Sequence, residues 1–231
     1  MTLIGCANFP TSMDKYFQIY GAVEINRTFY ALPREQTLVR WRERAPRGFV
    51  FSVKANRGIS HDARMNSASE VGKKALEGTL AAARVLGAQY LLFQTPPSLG
   101  PEALPAVRDT LIRARETGFR IGYEPRGKDW AGHEEELREA LKGLASHVVD
   151  PLVGKEVWSE GFHYFRLHGL GKRPYAYRFS DEELKKLKDV VKAVSGDVLL
   201  IFNNTNMLED SQRFMKLLKA SGGLSNEGGL E

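Results

Sequence analysis

The sequence is poor in several features that would have named a function outright. Cys6 is its single cysteine, so no disulfide can form within the chain and a reducing, cytoplasmic setting is expected. In an apolar strand that thiol reads as an inert buried group. Only five histidines are present, and no His-x-x-x-His or Glu-x-x-His pair falls on a helix. Phosphate-loop, zinc-ribbon and Gly-x-Ser-x-Gly patterns are missing. The apolar runs are too short to span a bilayer. Met1–Pro10 lacks the basic stretch and apolar run of a secretory signal. A soluble chain without membrane contact is therefore expected.

What is present is ordinary in bulk. The 231 residues are 42% hydrophobic and 26% charged, close to the globular average, which is enough for one large core. The net charge of +5 is spread along the chain, with short clusters at Arg40–Arg47 and Lys185–Lys192. Solvated helix faces account for most of it, so nucleic acid stays open as a partner without being favoured. No composition break divides residues 1–219, read as one domain. The Gly- and Ser-rich residues 220–231 read as a flexible tail.

Periodicity gives eight strands, expected at Leu3–Cys6, Ala22–Asn26, Phe49–Lys54, Tyr90–Gln94, Arg120–Glu124, His147–Asp150, Tyr164–His168 and Val198–Asn203. Helices are expected at Ser12–Tyr20 (with Ser12 as N-cap), Glu35–Arg44, Ala68–Leu86, Ala103–Thr117, Glu134–Lys142, Asp181–Ala193 (capped by Ser180) and Ser211–Lys219. Strands alternating with helices imply parallel pairing through crossovers. Eight such units predict a (β/α)8, TIM-type barrel, slightly short, with one irregular strand-to-strand connection at about 151–161. An open doubly wound sheet would want a glycine-rich turn after the first strand, and Cys6-Ala7-Asn8-Phe9-Pro10 is not one.

The functional signal is that strand after strand ends in a polar residue. Val23–Tyr30 sets the pattern, with Val23 and Ile25 on one face and Glu24 and Asn26 on the other. The same parity puts Ser52 with Lys54, Leu92 with Gln94, Gly122 with Glu124, and Tyr164 with Arg166 and His168. If the bulky apolar set packs on the helices, the polar set converges at the C-terminal mouth, where barrels of this type place their sites. Glu24 and Glu124 then read as acid and base, and Lys54 as an anion-stabilising cation or a Schiff-base amine. Arg166 with Arg126 would clamp an anion, and His168 would carry protons. Gln94, Asn203 and Asn204 would orient a ligand, Phe29, Tyr30 and Trp130 would wall it, and Asn26, His61 and Asp150 complete the candidate binding set. Glu24, Glu124, Asp150 and His168 are donors of the kind that hold a divalent ion. Lys54 and the arginines compete for those carboxylates, so no metal ligand is assigned and the cofactor is left open.

These residues carry a resemblance. Val23-Glu24-Ile25-Asn26 through Thr28-Phe29-Tyr30, Leu32-Pro33, and Trp41 ahead of Pro46 open it. Phe51-Ser52-Val53-Lys54-Ala55 with Ile59-Ser60-His61, and Leu92-Phe93-Gln94-Thr95-Pro96-Pro97, continue it. Tyr123-Glu124-Pro125-Arg126 with Trp130, Tyr164-Phe165-Arg166-Leu167-His168-Gly169 and Phe202-Asn203-Asn204-Thr205 complete it. Across residues 1–219 the chain resembles the YecE-like family, domain of unknown function 72, which implies a TIM-barrel-like fold and no particular reaction. Asn8–Met13 is shorter than the aromatic-rich segment usual in the family, and Gly127 stands where members tend to carry His. An acid–base enzyme on a small anionic or polyhydroxyl substrate is the leading expectation. A metal-dependent, nuclease-like phosphodiesterase and a non-catalytic metabolite-binding protein are the alternatives, and the oligomeric state is left open.

Overall fold

The computed structural model describes residues 1–171 and 175–220; apart from Ala220, the expected tail lies outside them. Eight parallel strands close into a barrel in sequence order: β1 Thr2–Ala7, β2 Ala22–Ile25, β3 Val50–Lys54, β4 Tyr90–Gln94, β5 Arg120–Glu124, β6 Ser146–Val149, β7 Phe162–Leu167 and β8 Asp197–Phe202. Between them run α1 Met13–Ile19, α2 Arg27–Tyr30, α3 Glu35–Arg44, α4 Glu70–Leu86, α5 Leu104–Arg115, α6 Glu134–Leu141 and α7 Asp181–Ala193, with α8 Met207–Ala220 after β8. The fold is the TIM-type barrel expected. The β6–β7 connection carries no helix, also as expected.

Strand parity sorts the side chains into two cores. Val23, Ile25, Phe51, Val53, Leu91, Phe93, Ile121, Tyr123, Phe165 and Leu167 pack with the helices. Val50, Tyr90, Leu92, Val148, Phe162, Tyr164, Leu199 and Ile201 form a separate cluster inside the barrel. Register holds the polar residues level with one another: Glu24 pairs with Ser52, Lys54 with Leu92, and Gln94 with Glu124. Only glycine fits at 122. A Cβ there would stand 2.6 Å from Val148 and 2.8 Å from the Tyr164 ring. Gly122→Ala is therefore expected to cost about 1–3 kcal/mol by overpacking, read as a lower urea midpoint; a wild-type midpoint would show that the interior has slack.

Local signals behave unevenly. Ser69 and Gly87 bound α4, the serine accepting from Gly72 N and the glycine taking φ +58°. Ser180 and Glu183 form a reciprocal capping box on α7. Ser12 precedes α1 but its hydroxyl makes no capping bond. The last helix begins at Met207, four residues ahead of the expected Ser211. Four short pieces were not anticipated: α2, a π-helical turn at Gly58–Asp62, and 3-10 turns at Pro101–Ala103 and Lys128–Trp130. In place of a β6–β7 helix, Trp158 stacks on His147 at 5.1 Å and donates to Ala145 O at 2.7 Å. Among the described residues no helix is long and apolar enough to cross a membrane.

Candidate functional site

Arg166, fully buried on β7, is the hub of the mouth. Its Nε and Nη2 donate to the two Glu24 oxygens at 2.8 and 2.7 Å, a bidentate fork. Nη1 donates to Glu124 Oε2 and also faces Gln94 Oε1 at 3.3 Å and His168 Nε2 at 3.2 Å. Tyr164 adds a third donor to Glu24 at 2.6 Å and is itself 2.7 Å from Ser52 Oγ. Arg126 grips the other Glu124 oxygen at 2.6 Å. Strands β2, β3, β4, β5 and β7 thus meet at one point, the convergence that strand parity anticipates.

The loops hold these strand ends in register. Asn8, in a left-handed conformation with φ +62°, accepts from the backbone N–H of Asn26 and Arg27. Thr28 Oγ1 lies 2.7 Å from the carbonyls of both Ile25 and Lys54, tying β2 to β3. Asn56 donates to Thr28 O at 2.9 Å. Asp150 accepts from the backbone N–H of His168 and Leu152, fixing the turn after β7.

Electrostatics divides the roles. Burial pushes the Glu124 carboxyl up, but Arg166, Arg126 and His168 together outweigh it and hold it at about 2. A group so strongly ionised is a poor proton donor at neutral pH, and Glu24 is closed off from solvent by three donors. The two carboxylates expected as acid and base are both bound to the Arg166 guanidinium. His168 is lowered to about 3 by burial and by Arg166. Arg126 Nη2 lies 2.6 Å from its Nε2, and both facing arginine nitrogens can only donate. Nε2 must accept, so the ring is neutral with its proton on Nδ1. Lys54 is lowered to about 8, first by burial and then by Arg166. Its Nζ donates to Gln94 Oε1 at 2.9 Å and sits 4.2 Å from the Phe29 ring centroid.

A cleft of about 560 Å³ opens beside this network, lined by Glu124, Arg126, His147, Asp150, Leu152 and His168 among others. Burial lowers His147 to about 4 and raises the Asp150 carboxyl. Among the described residues no three His, Cys, Asp or Glu side chains are grouped to hold a metal. Of the four donors considered, Glu24 and Glu124 turn toward Arg166, a cation built into the chain, while Asp150 accepts from backbone N–H groups.

A family model described as "Protein of unknown function DUF72" matches residues 6–228. The chain belongs to the DUF72 family. The UPF0759 protein YecE of Escherichia coli K12 is 27% identical over 212 residues, 90% of this chain and 73% of its own. A DUF72 family protein from Enterococcus faecalis superposes with a TM-score of 0.80 at 21% identity, over 97% of this chain and 98% of that one. A D-psicose 3-epimerase solved in the presence of D-fructose gives 0.58 at 13% identity, over 96% and 100%, a likeness of fold alone.

Within this DUF72 chain the remaining expected residues are scattered more widely. His61 lies on the π-helical turn, edge-on to Phe29 at 5.0 Å, with burial and Lys54 lowering its pKa. Tyr30 is 74% exposed and touches Phe29. Trp130 is buried away from the network, donating to Leu99 O at 3.0 Å and packing on Tyr123. Asn203 anchors through its backbone N–H on Leu167 O. Asn204 donates to Tyr177 O and Asp210, organising the turn into α8. Asn26 Oδ1 and Arg126 Nε are buried without a partner among the described residues. Tyr164, Ser52 and Asn8 escaped selection. Parity did place Tyr164 two residues before Arg166 and Ser52 two before Lys54, but a hydroxyl facing a barrel interior is usually packing.

Proposed function

We propose that this DUF72 chain is an enzyme moving protons on a small anionic or polyhydroxyl substrate at the C-terminal mouth. The observation that carries this reading is Lys54: an amine lowered to about 8, buried, with Gln94 as its hydrogen-bond partner beside a fixed guanidinium. A group that titrates near neutral pH is suited to both taking and returning a proton. Lys54 acts as the base, the Nδ1–H of His168 donates toward the cleft, and Arg126 supplies the charge that holds an anion. Glu24 and Glu124 position Arg166. The fold-level likeness to an epimerase studied with a sugar supports a polyhydroxyl substrate without naming one.

The test is a screen of small oxo acids, sugar phosphates and polyols by thermal shift and turnover, with Lys54→Met beside wild type. The variant is expected to lose both turnover and the ligand-induced shift. Its own stability should rise. A lysine whose folded pKa is lowered binds its proton less well in the fold than in the unfolded chain, at a cost present below pH 8 and gone above about 10.5. Removing it should add roughly 1–3 kcal/mol at pH 7. Undiminished turnover in the variant would end the assignment. Oligonucleotide binding with a steep salt slope would point to the phosphodiesterase reading instead.

A further inference from the structure

We propose that Lys54 is a covalent carbonyl-capturing amine, so that the substrate class of this mouth is a small aldehyde or ketone carrying a carboxylate, a 2-oxo acid. The inference rests on the site reading above and goes beyond it, because a base and a nucleophile make different demands on an amine. A base need only be near a proton. A nucleophile must keep its lone pair free of strong acceptors and be reachable from solvent.

Lys54 meets those demands. No carboxylate takes its ammonium in an ion pair among the described residues, although Glu24 and Glu124 both lie within electrostatic reach. Both are spent on Arg166, and Glu124 on Arg126 as well. Its amine instead rests on an amide oxygen, Gln94 Oε1, which Arg166 Nη1 also approaches. The Phe29 ring lies against it and contributes no acceptor oxygen. Desolvation together with a neighbouring cation is the arrangement that frees a lysine for imine formation. Lys54 keeps 8% of its surface exposed, and its partner Gln94 is half-buried. The charged and titratable groups facing it come from every neighbouring element. They are Glu24 on β2, Glu124 and Arg126 at the end of β5, Arg166 and His168 at the end of β7, and His61 on the π-helical turn.

The carboxylate of the substrate follows from Arg126. Its Nη2 is committed to Glu124 and His168, while its Nε is buried and unpartnered among the described residues. A buried donor without an acceptor is costly, and a bound carboxylate would satisfy it. The chemistry closes without an outside reagent. The Nζ lone pair forms a bond to the carbonyl carbon as the C=O π electrons move to oxygen. That oxygen takes one proton from the attacking nitrogen and a second from solvent, and departs as water as the remaining nitrogen lone pair closes a C=N bond, whose positive charge faces Glu24 and Glu124.

Borohydride reduction of the protein incubated with glyoxylate at pH 7 tests this, with peptide mapping by mass spectrometry. Hydride delivered to the imine carbon leaves a stable carboxymethyl adduct. The expected result is modification of Lys54 at least tenfold above any other lysine, and a tenfold lower yield with glycolaldehyde, which has no carboxylate. Lys54→Arg, which keeps the charge and cannot form the imine, should show only the background of the surface lysines. Labelling of Lys54 no faster than surface lysines overturns the covalent role. If ligand-induced shifts still depend on Lys54 in that case, the acid–base reading stands alone; if they do not, both fall together.

Discussion

Arg166→Met is expected to lower stability by about 3–5 kcal/mol, seen as a lower urea midpoint with an unchanged slope. The side chain is wholly buried and carries both oxygens of Glu24 and one of Glu124. Removing it leaves two buried carboxylates, one of them, Glu24, with no cation bonded to it. The ion cluster itself need contribute little, because desolvating three charges consumes most of their attraction. A second variant separates the two ideas. Glu24→Gln with Arg166→Met should lose at least about 1 kcal/mol less than the sum of the single losses, since the unpaired charge is what costs most. Additive losses would show that the residues are not coupled as drawn.

Acid should unfold the protein early, with stability falling below about pH 6.5. His147 and His168 sit near 4 and 3 in the fold against 6.5 ordinarily, and Glu124 near 2 against 4.5. In all three the folded pKa is depressed, so the unfolded chain binds more protons and stability rises with pH across the window. Each imidazole is fully favourable above its unfolded value and loses its contribution as pH falls toward its folded one. Asp150, Glu156 and Asp210, raised by burial, work in the opposite direction and blunt the slope. A net slope of about 1–2 kcal/mol per pH unit between pH 4 and 6 is expected, since one differential proton is worth about 1.4. Urea midpoints across pH 4–8 measure it, and His168→Gln should flatten the curve. A constant midpoint from pH 4 to 7 would contradict the buried neutral rings.

The barrel and the meeting of its polar strand ends were legible because period-2 parity is a strong signal. Glu24, Lys54, Gln94, Glu124 and Arg166 each alternate with bulky apolar neighbours, and register then leaves them one place to meet. Their division of labour was not legible. Whether a carboxylate acts as an acid or as a brace depends on its distance to a guanidinium from a strand about 140 residues away, which alternation does not encode. Trp130 and Asn204 were drawn into the candidate set by standing near strand ends, and both turn out to serve their own loops. Asn8 was missed because its role needs a left-handed backbone, invisible without coordinates. The start of the last helix wandered, to Met207, while the ends marked by Gly87 and Ser180 held.

The bond between Glu24 and Arg166 joins strands β2 and β7, which on the shorter way around the cylinder are separated by β1 and β8. It is therefore a clasp across the seam where the two ends of the chain's sheet meet. Neither half of the polypeptide can assemble the mouth by itself, and the long loop this contact closes makes it a late event in folding. Assembly of the Arg166 cluster and closure of the ring are thereby tied to each other.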